Sequence, residues 1–169
     1  MRFIIACVVL GLEELHQKNV CYGDLKLENI LICQRGYLKL TDFGLAQRLS
    51  SKHSMYKQDS ARGTLVYLAP EIVEDQIASM ASDLWSLGIL AHELIFHEPP
   101  YTDEDTIQSG IFRRTCAQDE KHRIWKHNRL SKASKNLIDS LLRVNPTERL
   151  GYNHFDQIRE HSFFEGFDW

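Results

Sequence analysis

Apolar residues recur along this chain in two rhythms. From Phe3 to Leu15 they keep helical spacing, with Val8, Val9, Leu12, Leu15 and His16 in register, which predicts a core helix. Its basic start and short apolar run mimic a secretory leader, but Glu13 and Glu14 stand where a small-residue cleavage site belongs. The run also falls short of the roughly 18 apolar residues that a membrane span needs. Ile30 to Ile32 and Tyr37 to Leu40 read as short strands about Gln34, Arg35 and Gly36, hence as a hairpin. Gln47 to Arg62 is polar and serine-bearing, the pattern of an exposed loop. Leu84 to Ile95 is apolar on nearly every side, so this helix belongs in the middle of a domain, and Pro99 and Pro100 end it. Thr102 to Asp105 supplies a cap and an acidic first turn for another helix. Ser134 to Leu142 and His154 to His161 read as the last helices, before an aromatic cluster of Phe163, Phe164, Phe167 and Trp169. The fold class is mainly α with a small β-hairpin.

Composition narrows the picture. The 169 residues are enough for one domain, and 43% hydrophobic with 25% charged residues argues for a folded chain. A net charge of −3 gives no reason to expect nucleic acid or an anionic membrane as partner. The one basic stretch with an aromatic inside it, Lys121 to His127, reads as a solvated loop. Cys7, Cys21, Cys33 and Cys116 form no Cys-x-x-Cys pair, which points to reduced thiols and an intracellular, cytoplasmic or nuclear, setting. The eight histidines show no zinc-ligand spacing.

The candidate chemistry lies between Cys21 and Gly44. Asp24 offers a carboxylate, Lys26 a cation and Asn29 an amide; Asp42 adds a second carboxylate, followed by Gly44. Asn29 and Asp42 flank the open end of the predicted hairpin, which would bring them together. Oxygen ligands beside one lysine suit a magnesium-bound phosphate.

These residues carry a resemblance. Tyr22-Gly-Asp-Leu-Lys-Leu-Glu-Asn29 resembles the catalytic loop of protein kinases, and Asp42-Phe-Gly44 resembles their metal-binding motif. Gly63-Thr-Leu-Val-Tyr-Leu-Ala-Pro-Glu71 resembles the end of an activation segment, and Asp83-Leu-Trp-Ser-Leu-Gly88 the buried helix after it. Tyr22, the Thr41-Asp-Phe-Gly44 form and the closing His161-Ser-Phe-Phe-Glu-Gly-Phe-Asp-Trp169 resemble the AGC group of serine/threonine kinases, with a lean to its ribosomal-protein kinase branch. The resemblance covers essentially the whole chain. It implies a kinase-like C-terminal lobe over residues 1–160 and the start of an AGC-type tail over 161–169. The glycine-rich loop of the N-terminal β-rich lobe, the strand lysine and its glutamate partner are absent from the motifs found.

The resemblance also implies roles. Asp24 would accept or orient the proton of a substrate hydroxyl, and Lys26 would steady the transferring phosphoryl group. Asn29 and Asp42 would hold Mg2+, and Lys26, Glu28, Asn29, Leu31 and Asp42 would face ATP, Leu31 under the adenine. Thr64 would bond Asp24 and Lys26 and favour Ser or Thr as acceptor. Leu65, Val66 and Leu68 would shape the pocket for the next substrate residue, while Glu28 and Glu93 would read upstream Arg or Lys. Ser60 stands where AGC kinases are phosphorylated by an upstream activating kinase. Asp83 would fix the catalytic loop, and Glu71 would pair with Arg149.

Four positions depart from the family pattern. Gly23 replaces the arginine that pairs with an activation-segment phosphate. Leu27 replaces a proline, and Leu65 and Val66 replace Pro-Glu. The expected function is ATP-dependent phosphorylation of protein Ser or Thr near basic residues, weak in this chain by itself. The alternatives are a non-catalytic binding or scaffold module and a lobe completed by another polypeptide.

Overall fold

The computed structural model describes residues 1–101 and 131–169, so the expectations for Thr102 to Asp105 and Lys121 to His127 lie outside the described residues. The first helix, α1 (Arg2–Gln17), buries Ile5, Val8, Val9, Leu12 and His16, the stripe its spacing predicts. It packs against α3 (Met80–Phe96), whose residues from Met80 to Ala91 are buried except for Ser86. A capping box starts α3: the Ser79 hydroxyl accepts the Ala81 amide at 3.2 Å, and the Ser82 hydroxyl accepts the Ser79 amide at 3.2 Å. The helix ends on His97 in the left-handed conformation.

The third core helix is α4 (Lys132–Leu141), which turns Leu137, Ile138 and Leu141 onto α3. Contact is close at Gly88. A Cβ there would lie 2.7 Å from Leu142 Cδ2 and 3.0 Å from Leu141 Cβ, so the position takes no larger side chain without movement. Trp85 lies wholly inside, stacked on Tyr101 with centroids 6.0 Å apart. The short α2 (Pro70–Asp75) precedes α3, and the short α5 (Asp156–Arg159) comes late in the chain. The helix read over His154 to His161 is thus limited to α5, with hydrogen-bonded turns at its flanks.

Among the described residues three antiparallel strand pairs edge the helices: β1 (Val20–Cys21) with β4 (Gln47–Arg48), β2 (Ile30–Ile32) with β3 (Leu38–Leu40), and β5 (Tyr56–Lys57) with β6 (Ile77–Ala78). The β2–β3 hairpin pairs Ile30 with Leu40 and Ile32 with Leu38, and Leu40 seats it against Gly11 of α1. Its outer residues are open: Leu31 is 56% exposed and Ile32 75%.

The stretch Gln47 to Arg62 is not simply an exposed loop. It contributes β4 and β5, Leu49 is buried, and Tyr56 packs with Cys21, Leu49 and Met80 in a small second core. The polar sequence hides this because Leu49 and Tyr56 find Cys21 and Met80 far away in the chain. At the other end, Phe163 and Phe164 are buried, and Trp169 lies against Phe164 and Phe167.

Candidate active site

The site begins with Asp83, buried in the first turn of α3. Its Oδ2 accepts the Tyr22 amide at 2.8 Å, its Oδ1 accepts the Gly23 amide at 2.8 Å, and His16 Nε2 lies 2.8 Å from Oδ2. A buried carboxylate needs such partners, and these three fix the backbone that leads into Asp24. Gly23 has φ +80°, and a Cβ there would sit 3.0 Å from the Leu45 carbonyl oxygen. Glycine is the residue that tolerates this bend.

Beyond the bend, four side chains converge. Asn29 Nδ2 donates to the Asp24 carbonyl at 2.8 Å and to Asp24 Oδ2 at 2.9 Å. Lys26 Nζ lies 3.0 Å from Asp24 Oδ2 and 3.0 Å from the Thr64 hydroxyl. Lys26 therefore joins this loop to a residue 38 positions away. Both side-chain contacts to Asp24 fall on Oδ2.

Asp42 stands at the hairpin's open end, where its side chain has a hydrogen-bond partner of its own. The Thr41 amide donates to the Asn29 carbonyl at 2.9 Å, one residue before Asp42. The Asp42 backbone then turns to φ 56°, and its Oδ1 accepts the Gly44 amide at 3.0 Å. Asn29 turns to Asp24 while Asp42 turns to Gly44, and the Asp42 side chain is exposed. Tyr22 touches both sides: its hydroxyl donates to the Thr41 carbonyl, and its ring meets Phe43 edge-on, centroids 5.5 Å apart. Burial, with Asp24, Asp42 and Asp83 nearby, pushes the Tyr22 hydroxyl up to about 12, so it stays a proton donor at neutral pH.

The segment after Gly63 forms the neighbouring wall. Leu65 is partly exposed, Leu68 is buried, and Tyr67 donates its hydroxyl to Glu93. Burial and that carboxylate raise the Tyr67 hydroxyl pKa. Glu93 is half-buried, while Glu28 and Ser60 are exposed. Glu71 and Arg149 meet through two bonds of 2.7 Å, and the Ser82 hydroxyl donates to Glu71 Oε1 at 3.0 Å.

His16, Tyr22 and Ser82 hold this site together and were not singled out for it by the sequence. His16 reads only as one member of a helical stripe; its partner Asp83 is 67 positions away. A cavity of about 530 Å³ lies elsewhere, lined in part by His16, Lys52, Met80, Leu84 and Tyr152; Asp24, Lys26, Asn29 and Asp42 are not among its walls. Among the described residues no group of three or more His, Cys, Asp or Glu side chains could hold a metal ion, and no helix is long and apolar enough to cross a membrane.

Comparison with known proteins agrees with this architecture. The family model for the protein kinase domain matches residues 1–164, and the chain belongs to the protein kinase family. It is 38% identical over 171 residues to the cGMP-dependent protein kinase, isozyme 2 forms cD5/T2, of Drosophila melanogaster, covering 99% of this chain and 18% of that protein. It is 40% identical over 172 residues to the cGMP-dependent protein kinase egl-4 of Caenorhabditis elegans, covering 99% and 21%. Human cGMP-dependent protein kinase 2 is 35% identical over 170 residues, covering 99% and 21%. The chain thus spans about a fifth of the length of these curated relatives. The AGC-group resemblance stands with these relatives, which are cGMP-dependent kinases and not ribosomal-protein kinases.

Proposed function

We propose that this chain is the C-terminal lobe of a serine/threonine protein kinase, with residues 161–169 beginning its tail, and that it transfers the γ-phosphate of ATP to a protein hydroxyl. The observation that carries this reading is the convergence of Asp24, Lys26, Asn29 and Thr64 within hydrogen-bond reach of one another. The contacts on Asp24 Oδ2 leave its Oδ1 to meet an incoming hydroxyl and take its proton. Lys26, held between Asp24 and Thr64, places its charge where a transferring phosphoryl group would build negative charge.

The donor set fits a hard cation. With its nitrogen committed to Asp24, the Asn29 amide has its oxygen left to offer, and the exposed Asp42 carboxylate offers a second oxygen. Asn29 and Asp42 would hold Mg2+, which when bound neutralises charge on the nucleotide phosphates. Leu31, Ile32 and Phe43 give the site an open apolar edge on which the adenine and an N-terminal lobe would sit. Glu28 and half-buried Glu93 place carboxylates for Arg or Lys upstream of the target residue, an acceptor class that fits an intracellular protein substrate.

The test is phosphotransfer by the full-length protein to serine and threonine peptides with and without upstream arginine. Transfer that favours the arginine peptide and falls by roughly 10²-fold or more in Asp24→Asn is expected. No transfer in the parent protein would move the weight to a second reading, a non-catalytic binding lobe, which the exposed hairpin residues Leu31 and Ile32 favour.

A further inference from the structure

Gly23 leaves the activation segment without the arginine that would answer a phosphate, yet the segment is held. Its anchor is Tyr56. The Tyr56 ring packs into the small core of Cys21, Leu49 and Met80, all buried. Its backbone pairs with Ala78, and the following Lys57 pairs with Ile77. Gln58 extends the pairing, its amide donating to the Gln76 carbonyl at 2.8 Å. The Gln58 side chain works in both directions: Nε2 donates to the Tyr56 hydroxyl at 3.3 Å, and Oε1 accepts the Arg62 amide at 3.3 Å. Arg62 leads directly into Gly63 and Thr64, and Thr64 accepts from Lys26 at 3.0 Å.

From the half-buried Tyr56 ring the path runs along the paired backbone to Gln58 and through Gln58 Oε1 and Arg62 to the lysine of the candidate site; the Tyr56 hydroxyl is not needed for it. Up to Thr64 each step is a neutral hydrogen bond, an apolar contact or a chain link, and the last is a hydrogen bond from the Lys26 ammonium; none uses a phosphate. Ser60, within the arch between Gln58 and Arg62, is exposed, and Arg62 is turned toward Asp59 with 3.7 Å between charged groups. Burial beside Cys21 pushes the Tyr56 hydroxyl up to about 12, which keeps the ring neutral in its apolar seat.

We propose that Tyr56 is a positioning residue: its ring, and not a phosphate on Ser60, holds the activation segment so that Thr64 meets Lys26. The proposal rests on the phosphoryl-transfer reading of Asp24, Lys26 and Thr64. It makes the segment intrinsically placed, with Ser60 modification dispensable for that placement.

The experiment compares Tyr56→Phe, Tyr56→Ala and Ser60→Ala with the parent, all unphosphorylated. Hydrogen exchange of the Gln58 amide reads the placement; peptide KM and kcat of the full-length protein read its consequence. A protected Gln58 amide is expected in the parent, in Tyr56→Phe and in Ser60→Ala, with exchange faster by roughly tenfold or more in Tyr56→Ala. The peptide KM should rise in Tyr56→Ala with the KM for ATP unchanged, and Tyr56→Phe should restore it. Free exchange at Gln58 in the unphosphorylated parent, slowed by phosphorylation of Ser60, would overturn the proposal. So would a Ser60→Ala variant whose Gln58 amide is as open as that of Tyr56→Ala. If Tyr56→Ala fails to fold, the parent, Tyr56→Phe and Ser60→Ala still decide the matter. A protected Gln58 amide in a protein that transfers no phosphate would sink the kinase reading and leave the Tyr56 anchor standing.

Discussion

Arg149 closes on Glu71 through two bonds of 2.7 Å, one to each carboxylate oxygen, with the guanidinium wholly buried beneath the activation segment's end. Its remaining donors are also committed, to the carbonyls of Ala81 at 2.8 Å and Arg143 at 2.9 Å, and its Cζ lies 5.2 Å from the Trp85 ring centre. Truncating the acid would strand a buried charge. Glu71→Ala should therefore lower unfolding stability by about 3–5 kcal/mol, read from urea denaturation. Replacing both partners with apolar residues, Glu71→Leu with Arg149→Met, should lose far less than the two single changes added together. Equal additivity would show that the two groups do not act as a pair.

Gly23 and Gly36 both have positive φ, 80° and 84°, but only the first is crowded. A side chain in this region costs about 1–2 kcal/mol by backbone sterics alone. At Gly36 nothing lies within 4 Å of an added Cβ, while at Gly23 the Leu45 carbonyl oxygen lies at 3.0 Å. Thermal denaturation should therefore show Gly23→Ala losing more stability than Gly36→Ala. Equal losses would mean that the chain at Leu45 yields freely.

His161 links acidity to the packing of the aromatic end. Its Nδ1 accepts the Phe163 amide at 3.1 Å, and its Nε2 lies 2.7 Å from Asn136 Oδ1, which together define a neutral ring. Burial holds its pKa below the ordinary 6.5. The folded state thus binds fewer protons than the unfolded state near that pH. The contribution is complete above about 6.5 and is lost as pH falls toward the folded pKa. Melting temperatures of the parent and His161→Asn should converge as pH drops from neutrality to about 5.5. A gap that widens on acidification would give the opposite sign and refute this assignment.

The parts of the fold written in local rhythm were legible. The stripe of Val8, Val9 and Leu12 marks α1, the all-round apolar run from Leu84 marks α3, and the alternation about Gly36 marks the hairpin. The members of the candidate site were legible as a motif, because Asp24, Lys26 and Asn29 lie within six residues of one another. Their orientation was not. The Asp42 carboxylate turns to Gly44 because its own backbone takes the left-handed conformation, a property no hydrophobic pattern encodes. The seating of Leu49 and Tyr56 was hidden for a related reason. Their partners Cys21 and Met80 come from β1 and the start of α3, so the contact exists only once the chain has folded back.

The empty space that Gly88 leaves for Leu142 has a mechanical meaning. Where two helices meet with no methyl between them, neither can slide or roll past the other without a collision, so α3 and α4 form a stiff joint. The two helices therefore behave as one rigid piece, and the rest of the core is packed on it.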